Sequence, residues 1–231
     1  MRYTDEREND DAPRGRDRAG RVLALGLVAT TCAAGLVRLA RAAARRETAA
    51  LDEAVRERTA APEDHPARDA AEAAAPIGKW YTYLPAALAA SAYLLAAHRP
   101  EPGPERRSRV AGVGAVMLTG AAATALNPAF DDWLPQPPAP PGHESRRKPV
   151  FPSGHAFGPG AVALATAYVA AREGLAHPAA AFPVALLVPA VTAGGRVLQE
   201  KHWASDVLGG YLGGIALAAA SAAAYEAIRN G

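Results

Sequence analysis

Six stretches of this 231-residue chain contain no Asp, Glu, Lys or Arg: 22–37, 80–97, 110–130, 156–171, 178–195 and 207–225. A helix that crosses a bilayer needs about 20 mostly apolar residues, with a usual range of roughly 17–25. Most of the runs sit at the short end of that range, and the first and fourth, at 16 residues each, fall below it. A chain this small has little room to bury six uncharged segments in a soluble core, so the pattern favours membrane helices over a soluble all-α protein. Run length and an Ala- and Leu-rich composition favour helix over strand. The expected fold is all-α, a six-helix transmembrane bundle, with Pro183 and Pro189 kinking the fifth helix.

Charge is concentrated between the runs. Residues 1–21 are polar and mixed in sign, and read as a disordered tail. Their acidic residues and the late start of the apolar stretch do not fit a cleaved signal, so the first apolar run is expected to stay as an anchor. Residues 22–79 then hold the first membrane helix and a charged linker. That linker is expected to be an amphipathic helix on the membrane surface or a solvated charged helix. Residues 80–226 form a five-helix core, and 227–231 a short tail. A net charge of +2 makes no electrostatic case for nucleic acid. Cys32 is the single cysteine, so an intrachain disulfide is excluded, and no Cys/His cluster points to a metal. Gly209, Gly210, Gly213 and Gly214 form two overlapping small-xxx-small pairs, which permit close helix approach. A homo-oligomer through residues 209–214 is one use for that stripe.

Counting crossings from the N-terminus puts residues 38–79, 128–155 and 196–206 on one side of the bundle. Two polar clusters therefore share a face. The first is "RRKPVFPSGHAF", 146–157; the second, 196–206, packs Arg196, Glu200, Lys201, His202 and Asp206 into eleven positions. Ser153, Gly154 and His155 stand at the start of an apolar helix, where free N–H groups favour an anion. His155 supplies an imidazole, a group that titrates near neutrality when unperturbed. Arg196 offers a planar fork suited to phosphate. His202 and Asp206 are four apart, so on a helix they face the same way, and a carboxylate on one imidazole nitrogen leaves the other available as nucleophile or base. Each feature alone is weak, since a His–Asp pair at this spacing is commonly a surface contact. Together on one face they point to one shared site.

These residues carry a resemblance. Pro152-Ser153-Gly154-His155, followed forty residues later by Arg196-x5-His202-x3-Asp206, resembles the second and third signatures of the phosphatidic acid phosphatase type 2 superfamily. That superfamily also contains bacterial acid phosphatases and vanadium haloperoxidases. Gly195 stands where the third signature usually has Ser. The resemblance covers roughly residues 80–225. It implies that His202 is the nucleophile and forms a phosphohistidine, that Asp206 orients it, and that His155 protonates the leaving oxygen. It further implies that Arg196, Ser153 and the Gly154 N–H hold the phosphoryl oxygens, with no metal or cofactor required. The membrane branch acts on phosphorylated lipids at a site outside the cytoplasm, which implies a multi-pass cell-membrane protein. Charge does not decide the orientation, because Arg38, Arg41, Arg45 and Arg46 on one side balance Arg99, Arg106, Arg107 and Arg109 on the other.

One signature departs. The family's first motif, K-x6-R-P, is best matched by Asn127, six residues, then Leu134-Pro135, so both cations are missing. Arg146, Arg147 and Lys148 lie a few residues before Ser153 and are the nearest replacements in sequence. Their alternative role is a charge cluster at the membrane interface. The reading is an integral membrane phosphatase acting on a phosphomonoester or pyrophosphate of a lipid. Its competitors are a weakly active or non-catalytic relative that binds phosphate or lipid headgroups, and a vanadate-dependent haloperoxidase.

Overall fold

The computed structural model describes residues 8–97, 104–143 and 149–229. Its elements are α1 (Glu8–Ala44), α2 (Ala49–Thr59), α3 (Pro66–Ala74), a 3-10 turn (Ala75–Gly78), α4 (Trp80–Ala96), α5 (Pro104–Trp133), α6 (Gly154–Arg172), α7 (Pro178–Leu198) and α8 (Ala204–Ile228). There is no strand among the described residues.

Each of the six uncharged runs falls on its own helix, the second overrunning α4 by Ala97 alone, but the six-span count does not follow. Among the described residues, four helical segments are long and apolar enough to cross a membrane: Asp17–Ala44, Arg106–Trp133, Pro178–Leu198 and Ala204–Ile228. Helix α4 has 17 residues and rises only about 25 Å, short of a hydrocarbon layer of about 30 Å. Helix α6 is long enough at 19 residues but less apolar, because its first two turns hold His155, Pro159 and three glycines. Eleven of its nineteen residues are buried against other helices, so its small Ala and Gly side chains meet protein on most sides. Large apolar side chains instead point outward from the surrounding helices, among them Leu23, Leu27, Leu118, Val184 and Leu187. An outward apolar surface of this extent suits lipid contact.

Helix α8 packs between α1 and α6, and the glycine stripe makes this possible. A Cβ at Gly210 would come within 2.6 Å of both the Ser153 carbonyl oxygen and the Ala156 Cβ. One at Gly214 would lie 3.0 Å from the Phe157 carbonyl oxygen. The stripe at 209–214 therefore serves the α6–α8 contact inside the chain, and all four glycines are buried there. Helix α7 is one helix through Pro183 and Pro189.

Two expectations for the charged segments change. The part of residues 1–21 that is described is not a disordered tail: α1 begins at Glu8. Its charged turn docks, with the Arg18 Nε donating to the Glu226 carbonyl at 2.8 Å and Arg21 pairing with the Glu226 carboxylate at 3.3 Å. Glu226 is fully buried and also pairs with Arg172 at 2.6 Å, so one carboxylate ties α1, α6 and α8 together at this end. The linker 38–79 is likewise not a free surface helix. It breaks into α2 and α3, which fold back on the ends of α7 and α8 at the opposite end of the bundle. Asp52 of α2 is buried and accepts from the Ser205 N–H and hydroxyl, both at 2.9 Å. Arg68 of α3 donates to the Gln199 carbonyl at 3.1 Å.

Candidate active site

The segment leading into α6 is held by one side chain. The Gln136 amide oxygen accepts from the N–H groups of Val150 (3.1 Å) and Phe151 (3.0 Å), while its nitrogen donates to the Phe151 carbonyl at 2.8 Å. The Phe151 ring is fully buried and lies over Gly209, where a Cβ would come within 2.5 Å of it. A cis Phe151–Pro152 bond follows. Ser153 precedes the first turn of α6. Its own N–H donates to the Asp206 carbonyl at 2.9 Å, which joins this segment to the first turn of α8. The hydroxyl of Ser153 is fully buried and has no hydrogen-bond partner among the described residues. The same holds for Nε2 of His155, whose ring lies against the backbone of Gly78. Buried polar atoms in this state are costly without a partner, and they suit a polar ligand.

The second cluster is built by the turn between α7 and α8. Arg196 stands in the last turn of α7, and its carbonyl accepts from the N–H groups of Lys201 (2.8 Å) and His202 (3.3 Å). Glu200 takes a left-handed backbone conformation, φ 57°, so the chain reverses tightly. Asp206 is fully buried, and one of its oxygens accepts from the Trp203 N–H at 2.8 Å. That oxygen lies 3.5 Å from His202 Nδ1, an ion-pair separation longer than a good hydrogen bond. The contact leaves Nε2 as the other ring nitrogen of His202. The Trp203 indole donates to the Pro138 carbonyl at 2.7 Å and fastens the proline-rich connector beside the turn.

The two clusters meet. The rings of His155 and His202 have centroids 6.1 Å apart, and both line a cavity of about 750 Å³ together with Gly154 and Arg196. Asp206 stands behind His202, and Ser153 is buried behind Gly154 and His155. Arg146, Arg147 and Lys148 lie outside the described residues. The two departures of the first signature separate in space. The Asn127 amide reaches the site, since a Cβ on Gly154 would lie 2.8 Å from its oxygen. Leu134 packs instead with Phe151 and Leu36 in an apolar cluster.

Three site residues escaped the sequence reading. Lys79 and Lys201 line the cavity. Glu72 of α3 pairs with Arg196 at 3.3 Å and Lys201 at 3.2 Å, and accepts from the Gln199 amide at 3.0 Å. The hydrogen bond from Lys201, then that from Gln199, holds the Glu72 carboxyl below its ordinary range. Lys201 was visible in the charged block, adjacent to His202. Lys79 and Glu72 had no local signal beyond their charge.

Two imidazoles facing one cavity, one backed by a buried carboxylate and flanked by a guanidinium, match what nucleophilic phosphoryl transfer asks of a protein. The family model of the PAP2 superfamily matches residues 79–229, a range that holds both histidines, Arg196 and Asp206. The chain belongs to the PAP2 superfamily. It is similar in fold to the crystal structure of the first transmembrane PAP2 type phosphatidylglycerolphosphate phosphatase from Bacillus subtilis, with TM-score 0.64 and 21% identity over 82% of this chain and 91% of that one. No curated protein matches the chain. Asp52 and Glu72 precede the part of the PAP2 chain that the family model covers.

Proposed function

We propose that this PAP2 protein is an integral membrane phosphatase that removes phosphate from a phosphorylated lipid. In this reading Nε2 of His202 attacks phosphorus. The P–O bond to the lipid breaks, and the leaving oxygen takes a proton from His155. The phosphoryl group is now on His202. Water then attacks it, His155 accepts the water's proton, and phosphate leaves. Asp206 keeps the His202 ring oriented and offsets the positive charge the ring gains. Arg196 and the backbone at Gly154 hold the phosphoryl oxygens, with the Ser153 hydroxyl behind them. The observation that carries this reading is the pair of imidazoles 6.1 Å apart on one cavity.

A lipid substrate is supported by a second, apolar groove of about 510 Å³ between α4, α6 and α7, lined by Ile77, Val162, Val184 and Val188 among others. Both spaces touch Tyr83, so a headgroup in one and a chain in the other can belong to one molecule. Phosphatidate, phosphatidylglycerophosphate and polyprenyl pyrophosphate all carry the required chemistry. The test is phosphate release from a panel of lipid phosphates and pyrophosphates by the purified protein in detergent, with His202→Ala as blank. Release by the wild type alone supports the reading. Tight phosphate binding without release favours the non-catalytic relative, the alternative that the neutral Asn127 supports. Halide oxidation with added vanadate would favour the haloperoxidase instead.

The site is assigned to the outer face of the cell membrane, with the N-terminus inside. Cysteines placed at Asp64 and Arg106 in a Cys32-free background report this. An impermeant reagent added outside should label position 64 and spare 106; the opposite pattern reverses the assignment.

A further inference from the structure

A phosphoryl group in transfer spreads negative charge over three oxygens, and positioned cations are the main means of stabilising it. Asn127 brings an amide to this cavity where the resemblance would place a lysine, and Leu134 is packed away from it. Among the described residues the cavity is lined by three permanent cations: Arg196, Lys79 and Lys201. The two lysines come from separate parts of the chain and meet at the histidines. Lys79 precedes α4 and directly follows Gly78, whose backbone packs on the His155 ring. Lys201 directly precedes His202, and its N–H is bonded to the Arg196 carbonyl, so the backbone places both cations on one turn.

Glu72 shows what the pair of cations on that turn can hold. Its Oε2 alone lies 3.3 Å from the Arg196 guanidinium and 3.2 Å from the Lys201 ammonium. One anionic oxygen shared between two cations is the contact a phosphoryl oxygen would make. The carboxylate is 61% exposed, whereas Lys201 is only 19% exposed. An exposed ion pair costs little to break, so Glu72 can yield to a more highly charged anion while the cations stay placed.

On the reading given under Proposed function, we propose that Lys79 and Lys201 bind the substrate phosphate, supplying the two positive charges that Asn127 and Leu134 lack. Glu72 occupies part of that anion site and competes with phosphate for it.

The test measures binding of inorganic phosphate and of orthovanadate by titration calorimetry on the full chain in detergent, alongside lipid phosphate turnover. Lys79→Gln and Lys201→Gln should each weaken anion binding by about tenfold or more, as loss of a charge-assisted contact does. Lys201→Arg should retain most of it. Glu72→Gln should tighten it. The last variant is decisive, because it breaks the same ion pair as Lys201→Gln without removing the cation. If Lys201 only braces α3 through Glu72, the two variants will move anion affinity in the same direction, and the proposal falls. It also falls if both lysine variants bind phosphate as the wild type does. Arg58→Gln, on the exposed side of α2, controls for net charge and should bind normally. If the wild type binds phosphate lysine-dependently but releases none from any lipid, the hydrolase reading fails and the cation assignment stands. If the wild type binds neither anion, the cation assignment fails, and phosphate release from the lipid panel decides the hydrolase reading by itself.

Discussion

The main-chain N–H of Ser153 donates to the main-chain carbonyl of Asp206 across 2.9 Å. This one bond registers the start of α6 against the start of α8, and so sets His155 and His202 on the same cavity. It depends on close helix approach at Gly210. Gly210→Ala puts a methyl 2.6 Å from the Ser153 carbonyl oxygen. Neither backbone can yield without moving the site. The substitution should cost about 1–3 kcal/mol by overpacking and should lower turnover in the molecules that still fold. Thermal inactivation and turnover per folded molecule, measured together, check both halves.

Asp206→Asn keeps the shape of the buried side chain and removes its charge. Turnover should fall by about 10²–10⁴-fold, because the His202 ring loses the group that fixes its tautomer and offsets its charge. Substrate binding should change far less. Rapid quench should trap acid-labile phosphohistidine on the wild type and little on this variant. Wild-type turnover in Asp206→Asn would remove the proposed mechanism.

Asp52 lies outside the part of the chain matched to the superfamily, yet it acts as a cap supplied from another helix. Its carboxylate accepts from the Ser205 N–H and hydroxyl and from the Thr48 hydroxyl. Asp52→Ala should cost about 1–3 kcal/mol by leaving buried donors unsatisfied at the start of α8. Asp52→Asn should cost less, since one amide oxygen still accepts. Midpoints of thermal unfolding in detergent distinguish the two.

Glu72 gives a pH signature. Its carboxyl is held below the ordinary glutamate value of about 4.3 by hydrogen bonds from Lys201 and then Gln199. A folded-state value below the unfolded one means that the contribution is fully present above the ordinary value. It is lost as pH falls through the lowered one. The stability difference between wild type and Glu72→Gln should therefore be constant at neutral pH and close up below about pH 4. The exposure of Glu72 keeps this difference small, and added salt should shrink it further. A difference that grows on acidification would contradict the sign.

Restoring the first signature should fail at one position and not at the other. Asn127→Lys introduces its cation beside Gly154, on the cavity, and should strengthen phosphate binding. Leu134→Arg places a charge among Leu36, Phe151 and Phe130. It should destabilise the protein by about 1–3 kcal/mol without improving activity. Phosphate titration and thermal unfolding on the two single variants separate these effects.

Much of this was legible along the chain. The uncharged runs announced the helices, because a helix is selected by local composition and length, both of which a sequence displays directly. The signatures at 152–155 and 196–206 announced the two histidines, because each cluster is built within one short stretch of backbone. Which helix is enclosed by the others was not legible. Helices α4 and α6 look alike as uncharged runs, but α4 is short and half outside, whereas α6 is enclosed by its neighbours. Enclosure is a property of what surrounds a helix, and charge-free composition does not report it.

The chain by itself determined that this protein is helical, and its signatures singled out the two histidines that meet at one cavity. Tertiary structure decided the charge that surrounds them. Glu72 meets Arg196 across 124 positions, and Ser205 meets Asp52 across 153. Lys79 lines the cavity next to Gly78, whose backbone packs on His155. The physical reason is range. Helix formation and motif geometry are set by bonds spanning a few residues, whereas the field at a phosphate is summed over every charge within several ångströms, whatever its place in the chain.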